Sequence, residues 1–179
     1  GSMDDEWLGF VLSYFEIDYG HDFGDETLVD IGSGPIGILT TLKAKRKIAI
    51  DPLDIDSLDK SIERIKAPGE ESGLESACAD RVFLYNTLQH VYSPDKVLDE
   101  AFRILNKDGT AYILEQLDLP ACAPHPNCLT MDLFEDWLKR YSLNVIKNSR
   151  EMDCYFEHPS APGSGYSILR LIVRKQLRA

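Results

Sequence analysis

Basic residues, cysteines and long apolar runs are all scarce in this chain. It has 179 residues, of which 19 are Lys or Arg and 30 are Asp or Glu, giving a formal net charge of −11 at pH 7. A surface of that sign repels phosphate backbones and anionic lipid, so we expect neither nucleic acid nor a membrane as a partner. No apolar run reaches the roughly 18 residues of a membrane-spanning helix. Four cysteines are too few for a disulfide scaffold.

The first residues also lack the basic and apolar pattern of a secretory signal. The chain begins Gly-Ser-Met and continues with Asp4, Asp5 and Glu6. We interpret residues 1–3 as an expression scar and an initiator methionine, and we expect a cytoplasmic protein with reduced thiols. At roughly 150 residues per domain, the length predicts a single domain over residues 4–179 with a helix at its start.

Strands and helices alternate along the predicted structure. Apolar spacing of three and four predicts an N-terminal helix over about residues 4–19, with an apolar face packed in the core and formed by Trp7, Phe10, Val11, Tyr14 and Phe15. Strands are predicted over 27–31, 47–50, 62–66, 81–85, 110–115, 143–146 and 166–174. Helices are predicted up to residue 43, from Pro94 to about residue 105 and around 134–141. This order indicates an α/β fold with a mostly parallel sheet and helices on both faces.

A glycine loop follows the first predicted strand. Gly32, Gly34 and Gly37 form a G-x-G-x-x-G motif, and Asp51 follows the second strand as a carboxylate able to bind both hydroxyls of a ribose. This motif alone fits a nicotinamide-dinucleotide enzyme equally well. Asp30 separates the two interpretations, because a carboxylate two residues before the loop repels a pyrophosphate and suits an ammonium or sulfonium cation.

Four stretches of the chain, in order, resemble the class I S-adenosylmethionine-dependent methyltransferases, particularly their small-molecule branch. They are residues 28–35, 48–52, 80–91 and 98–115, and they span about half the chain. The resemblance implies a Rossmann-like open sheet, mostly parallel with an antiparallel last strand. It also implies that the cofactor is S-adenosyl-L-methionine.

Carried over residue by residue, the resemblance implies a set of cofactor-binding residues. The methionine part of the cofactor would lie near Asp30, Gly32, Gly34 and Asn86, the ribose at Asp51, and the adenine at Gly69 and Glu70. The chain departs from the family at Pro68, where many relatives have an Asp. Adenine recognition would therefore fall to Glu70, Glu71 or the backbone.

Candidate catalytic and substrate residues lie around the same edge of the predicted sheet. His90 follows the fourth strand, where it could act as a general base or cap a helix. His125, on a later proline-rich loop, is a second catalytic candidate or a substrate contact. In relatives the N-terminal helix often lies over the cofactor, so Tyr14 and Tyr19 are candidate substrate residues, together with Gln89.

Two other clusters have structural interpretations. Cys122, His125 and Cys128 have a spacing that can bind zinc, and Cys154 or His158 could complete such a site. We favour a metal-free substrate loop and predict no metal. The second cluster is a run of basic residues expected to form a solvated helix end, namely Lys43, Lys45, Arg46 and Lys47.

The predicted function is methyl transfer to a small-molecule acceptor by in-line displacement. The Asn-Pro-Pro-aromatic tetrapeptide of DNA amino-methyltransferases is missing after the fourth strand, where Asn86 is followed by Thr87. The chain has little room for a substrate-recognition domain, so a protein partner or a second copy could complete the pocket. Two alternatives stay open, a catalytically silent methyltransferase-like binding subunit and an NAD-dependent oxidoreductase.

Overall fold

The computed structural model describes residues 3–35, 37–54, 59–152 and 167–176, and a seven-stranded sheet lies at its centre. The strands are β1 (Thr27–Ile31), β2 (Arg46–Asp51), β3 (Ile62–Lys66), β4 (Ala79–Tyr85), β5 (Leu105–Leu117), β6 (Asn144–Met152) and β7 (Ser167–Arg174). Their spatial order is β3-β2-β1-β4-β5-β7-β6. The pairs among β1 to β5 are parallel, and β7 runs antiparallel between β5 and β6. The predicted Rossmann-like sheet with an antiparallel last strand is confirmed.

Helices cover both faces of this sheet. Helix α1 (Met3–Tyr14) packs on one face, and helices α2 (Pro94–Ile104) and α3 (Met131–Tyr141) pack on the other. Helix α2 begins at Pro94 as predicted and buries a stripe of residues four or fewer apart, namely Val97, Leu98, Ala101 and Ile104. The longest described helix is α1, whose 12 residues are too few to cross a bilayer.

The predicted helix after the glycine loop is replaced by a single 3-10 turn, Ile38–Thr41. The hydroxyls of Thr40 and Thr41 donate to the carbonyls of Gly37 and Ile38, each three residues back. Threonine hydroxyls that bond nearby carbonyls in this way compete with regular helix, which accounts for the short element.

Helix α1 differs from its prediction in length and in its buried face. It ends at Tyr14, and Glu16 follows with a left-handed φ of 59°. The side chains that pack on the sheet are Leu8, Val11, Leu12 and Phe15. Trp7 is 40% exposed and Phe10 is 38% exposed, so the prediction that these two side chains pack in the core was wrong. The buried stripe of α1 therefore runs through Leu8 and Leu12, which face the sheet.

Lys47 is buried, which contradicts the predicted solvated helix end. Its side chain lies on β2, and its Nζ donates to the carbonyls of Leu39 and Leu42 at 3.1 and 3.2 Å and lies 3.2 Å from Asp59. A cation is stable here because three oxygens replace its water shell. Arg46, the first residue of β2, is half-exposed and pairs with Glu63 on β3.

Candidate functional site

The carboxyl ends of β1, β2 and β4 meet at one edge of the sheet, and the loops that follow them touch. Gly32 and Gly34, after β1, have left-handed φ angles of 73° and 58°. A Cβ added to Gly32 would lie 2.3 Å from Thr87 Cγ2, in the loop after β4. Only glycine therefore allows the two loops to approach this closely.

Asp51, the last residue of β2, ties the glycine loop to its own strand. Its Oδ2 accepts a hydrogen bond from the Gly34 amide at 2.9 Å, and its Oδ1 accepts one from the Leu53 amide at 2.9 Å. A carboxylate has about four acceptor positions, so each oxygen can take a further bond from a ligand hydroxyl. The side chain borders a cavity of about 620 Å³ that extends toward the loop after β4.

Asp30 lies beneath the glycine loop with 3% of its surface exposed. Burial and the charge of Asp51 raise the pKa of this carboxyl to about 7, although Arg64 and the Ile38 backbone oppose the rise. A Cβ added to Gly37 would lie 2.9 Å from Asp30 Oδ2. The glycine at this position therefore leaves space beside the carboxyl that any side chain would fill. A cation placed here would favour ionised Asp30 and relieve the cost of burying it.

The structure brings all seven predicted cofactor residues to two adjoining cavities. The smaller one, about 280 Å³, is lined by Asp30 and shares Gly32 and Gly34 with the larger one. The remaining four, all in the larger cavity, are Asp51, Gly69, Glu70 and Asn86. The carboxyl of Glu70 also accepts a hydrogen bond from the Ser93 amide at 2.8 Å.

Asn86 holds a strained position at the end of β4. Its φ is 52°, in the left-handed region, and its backbone N–H donates to the Leu114 carbonyl at 2.9 Å. The Nε2 of Gln89 donates to Asn86 Oδ1 at 3.1 Å. Gln89 itself is 2% exposed and does not line either cavity, so the structure places this candidate substrate residue behind Asn86.

Glu115 is a component of the site that the sequence did not indicate. It is 1% exposed, and its Oε1 accepts hydrogen bonds from the Thr87 and Leu88 amides at 2.9 and 3.0 Å. Burial raises the pKa of this carboxyl to about 7, with the two amides opposing the rise. Glu115 thereby holds the loop that carries Asn86. Its one signal in the sequence is an acid inside an otherwise apolar strand.

His90 borders the larger cavity and is held by the proline-rich loop that follows β5. Its Nδ1 lies 2.7 Å from the Pro124 carbonyl oxygen. Its ring packs edge-on against the ring of His125, with centroids 4.6 Å apart. The structure thus brings the two candidate catalytic histidines together beside the cavity.

Aromatic side chains near the smaller cavity are not the ones predicted. Trp7 and Tyr85 line it, and burial raises the pKa of Tyr85 to about 12. Tyr19 instead donates its hydroxyl to Asp5 at 2.8 Å, and Tyr14 packs edge-on against a neighbouring ring of α1. Neither tyrosine lines either cavity, and their role as substrate contacts stays a prediction.

The cysteine-containing loop is a tight backbone turn. Cys122 and His125 exchange two backbone hydrogen bonds of 2.9 Å, and the thiols of Cys122 and Cys128 are exposed. In the described part of the chain, no three or more His, Cys, Asp or Glu side chains are grouped to hold a metal ion. Cys154 and His158 lie outside the described residues.

Comparison with known proteins gives one family and many similar folds. Residues 9–113 match the model of a family described as "Methyltransferase domain". A search of curated protein sequences finds no match.

Three solved structures illustrate the similarity of fold. A Bacillus halodurans protein described as a methyltransferase has a TM-score of 0.70 and 12% identity, covering 99% of this chain and 100% of that one. The Haloferax volcanii methyltransferase in complex with its Trm112 activator has a TM-score of 0.70 and 14% identity, covering 98% and 92%. The Burkholderia thailandensis 1,6-didemethyltoxoflavin-N1-methyltransferase, with its substrate and S-adenosylhomocysteine bound, has a TM-score of 0.65 and 15% identity, covering 98% and 79%.

Proposed function

Because the chain belongs to the methyltransferase family whose domain model matches residues 9–113, we propose that it binds S-adenosylmethionine and transfers its methyl group to a small-molecule acceptor. The observation that supports this most directly is the placement of Asp30 and Asp51 on either side of one glycine loop. The loop joins a smaller cavity at Asp30 to a larger one at Asp51. A molecule with a cation at one end and a ribose further along matches this arrangement.

The residues around the two cavities fit the chemistry of that cofactor. Asp51 has acceptor positions for the two ribose hydroxyls, and buried Asp30 would face the positively charged methionine part. Gly69 and Glu70 would border the adenine. When bound, S-adenosylmethionine supplies a methyl group already activated by a positive sulfur. A pyrophosphate offers Asp30 no cation and is repelled whenever this carboxyl is ionised, so an NAD-dependent oxidoreductase fits less well.

Positioning is the main task left to the protein. Since the methyl group is already electrophilic, the chain has to hold an acceptor atom in line with it, and such orientation can lower a barrier by about 7 to 11 kcal/mol. Asn86 and His90 both border the larger cavity, and we place the acceptor beside them. A cavity of about 620 Å³ is in the range of small-molecule sites. The Haloferax methyltransferase binds a protein activator, and we include a protein partner in the proposal for this chain.

The proposal is tested by calorimetric titration of the chain with S-adenosylhomocysteine and with NAD. We expect the first to bind and the second not to bind. Asp51→Asn should weaken binding by roughly 10- to 100-fold, because it removes charge-assisted bonds to the ribose. The matched control is Asp54→Asn, since the Asp54 side chain is 88% exposed and pairs with Lys66 at the surface. It should bind like the parent chain.

Two results would change the conclusion. Binding of NAD, or equal binding by the parent and Asp51→Asn, contradicts the assignment of this site. Binding of S-adenosylhomocysteine without methyl transfer to any acceptor, alone or with a protein partner, would instead support the catalytically silent binding subunit.

A further inference from the structure

The hydrogen bond between His90 and Pro124 determines which nitrogen of the histidine ring carries a proton. Nδ1 of His90 lies 2.7 Å from the Pro124 carbonyl oxygen. A carbonyl oxygen can only accept, so Nδ1 must donate. In the uncharged ring the single proton is then on Nδ1, and Nε2 is left with its lone pair.

This arrangement is built into the fold by the neighbouring Asn127. Its Nδ2 donates to the Leu88 carbonyl at 3.2 Å and to the Val91 carbonyl at 2.6 Å. Its backbone amide donates to the Gln89 carbonyl at 3.3 Å. Three bonds thus hold the proline-rich loop against both sides of His90, and the Pro124 carbonyl has little freedom to move away.

The cavity wall beside His90 presents a complementary donor. Asn86 and His90 both line the larger cavity, and Asn86 Oδ1 is already occupied by the Nε2 of Gln89. The Nδ2 group of Asn86 is therefore the part of its amide left for a ligand. For His90 Nε2, no hydrogen-bond partner is found among the described residues. The wall offers one donor and one acceptor, which matches a hydroxyl group, since a hydroxyl both donates and accepts.

We infer that Nε2 of His90 accepts a proton from the methyl acceptor and that this acceptor is a hydroxyl compound, since a hydroxyl is a poor nucleophile until a base removes its proton, whereas a neutral amine attacks through its lone pair. This inference rests on the proposed methyl transfer. As the hydroxyl proton passes to Nε2, the electron pair of the O–H bond is released to oxygen and an oxygen lone pair forms the new O–C bond. The electron pair of the C–S bond stays on sulfur, so the step balances. Nucleophiles without a proton to lose, such as thioethers and tertiary amines, do not need His90.

The first test is the tautomer of His90, which needs neither cofactor nor acceptor. Long-range ¹H–¹⁵N spectra of histidine-labelled protein are recorded over the pH range in which the ring is uncharged, and His90→Gln identifies the resonances. We expect an unprotonated Nε2. Asn127→Ala should shift His90 toward a mixture of tautomers, because the loop that supplies the carbonyl is released. A protonated Nε2 in the parent chain overturns the inference.

The second test compares phenol with anisole, its O-methyl ether, in the presence of S-adenosylhomocysteine. Phenol should shift the Nε2 resonance, and anisole, which has no hydroxyl proton, should not. His90→Gln should weaken phenol binding by roughly 3- to 10-fold. A shift with both probes, or with neither, overturns the acceptor class. S-adenosylhomocysteine binding is titrated in the same samples, so its absence reports a failure of the proposed function and not of the His90 assignment.

Discussion

A cation that faces Asp30 keeps this carboxyl ionised, and without one its raised pKa leaves a neutral fraction at and below about pH 7. In the folded chain, burial and the neighbouring Asp51 raise its pKa to about 7 from an ordinary value of 3.8. A bound ammonium or sulfonium lowers that pKa again, since it favours the carboxylate. Below pH 7 the binding of a cationic cofactor therefore has to release a proton from Asp30.

This release predicts a pH dependence of cofactor affinity. The affinity for S-adenosylmethionine should fall as pH decreases below 7, approaching about tenfold per pH unit from this one group. Asp30→Asn should bind more weakly at pH 8 and should lose this dependence, because the amide neither ionises nor attracts a cation. Calorimetric titrations at several pH values between about 5.5 and 8 measure both effects.

Asp54→Asn serves as the control and should keep the slope of the parent chain. Equal slopes for the parent and Asp30→Asn would show that Asp30 does not face the charged part of the cofactor.

Sequence patterns were informative for residues whose role depends on near neighbours. Asp30, Gly32 and Gly34 lie within five consecutive residues, and a strand followed by glycines is enough to place them. Glu115 contacts amides 27 and 28 positions away, so only the pairing of β4 with β5 reveals what it holds. Trp7 reaches the smaller cavity through the rotation of a whole helix, which spacing alone did not resolve.

At the scale of elements, the segment after the glycine loop is held by a neighbouring strand as well as by its own hydrogen bonds. The 3-10 turn has four residues, and short turns of this kind leave carbonyls unsatisfied. Lys47, on β2, donates to the carbonyl of Leu42, just after the turn, and to that of Leu39, which also accepts from the Leu42 amide. One buried cation thus replaces part of the helix that the sequence predicted.

Lys47→Met is expected to destabilise this segment. Methionine retains an apolar stem but removes the donor. The Leu42 carbonyl then loses its bond to Lys47, and the Leu39 carbonyl keeps only its bond from the Leu42 amide, at a total cost of about 1–3 kcal/mol. Urea unfolding should show a decrease of that size in the free energy of unfolding. Lys45→Met is the matched control, because Lys45 is exposed, and it should change that free energy by less than about 0.5 kcal/mol. An equal effect of both substitutions would contradict the role of Lys47.

Element boundaries were predictable where apolar runs end abruptly. Strands β1 and β3 have the predicted bounds because Gly32 and Ala67-Pro68 stop them. Strands β5 and β6 are longer than predicted, reaching Leu117 and Met152, because each pairs with β7 along most of its length. Polar residues within β6 interrupt the apolar pattern by which a strand is predicted. Its pairing with β7 depends on residues distant in the sequence, which a local pattern does not contain.

At the scale of the whole molecule, two buried acids sit at the functional edge of one sheet and affect global stability. Asp30 and Glu115 both have a pKa of about 7 in the fold, against 3.8 and 4.5 ordinarily. Between about pH 4 and pH 7 the folded chain therefore binds more protons than the unfolded chain. It follows that the free energy of unfolding falls as pH rises through this window. The pKa of Glu100 is instead lowered in the fold, so ionised Glu100 stabilises the folded chain, and this stabilisation is lost only at more acidic pH.

The last prediction is that neutralising both acids removes this loss of stability. Shifts of this size correspond to about 4 kcal/mol for Asp30 and about 3 kcal/mol for Glu115 as order-of-magnitude upper values. Asp30→Asn/Glu115→Gln should therefore be several kcal/mol more stable than the parent at pH 8 and nearly equal to it at pH 5, as measured by urea unfolding. Each single variant should recover part of the difference, and Asp54→Asn none.

A parent chain whose stability rises from pH 5 to pH 7, or a double variant with an unchanged slope, would contradict the assignment. If the prediction holds, the chain retains two carboxyls that weaken its own fold near neutral pH. Asp30 lines the smaller cavity under the glycine loop, and Glu115 lies behind the loop that carries Asn86, without lining either cavity. Destabilising groups concentrated at one edge of a sheet are expected where binding, and not folding, determines the residue.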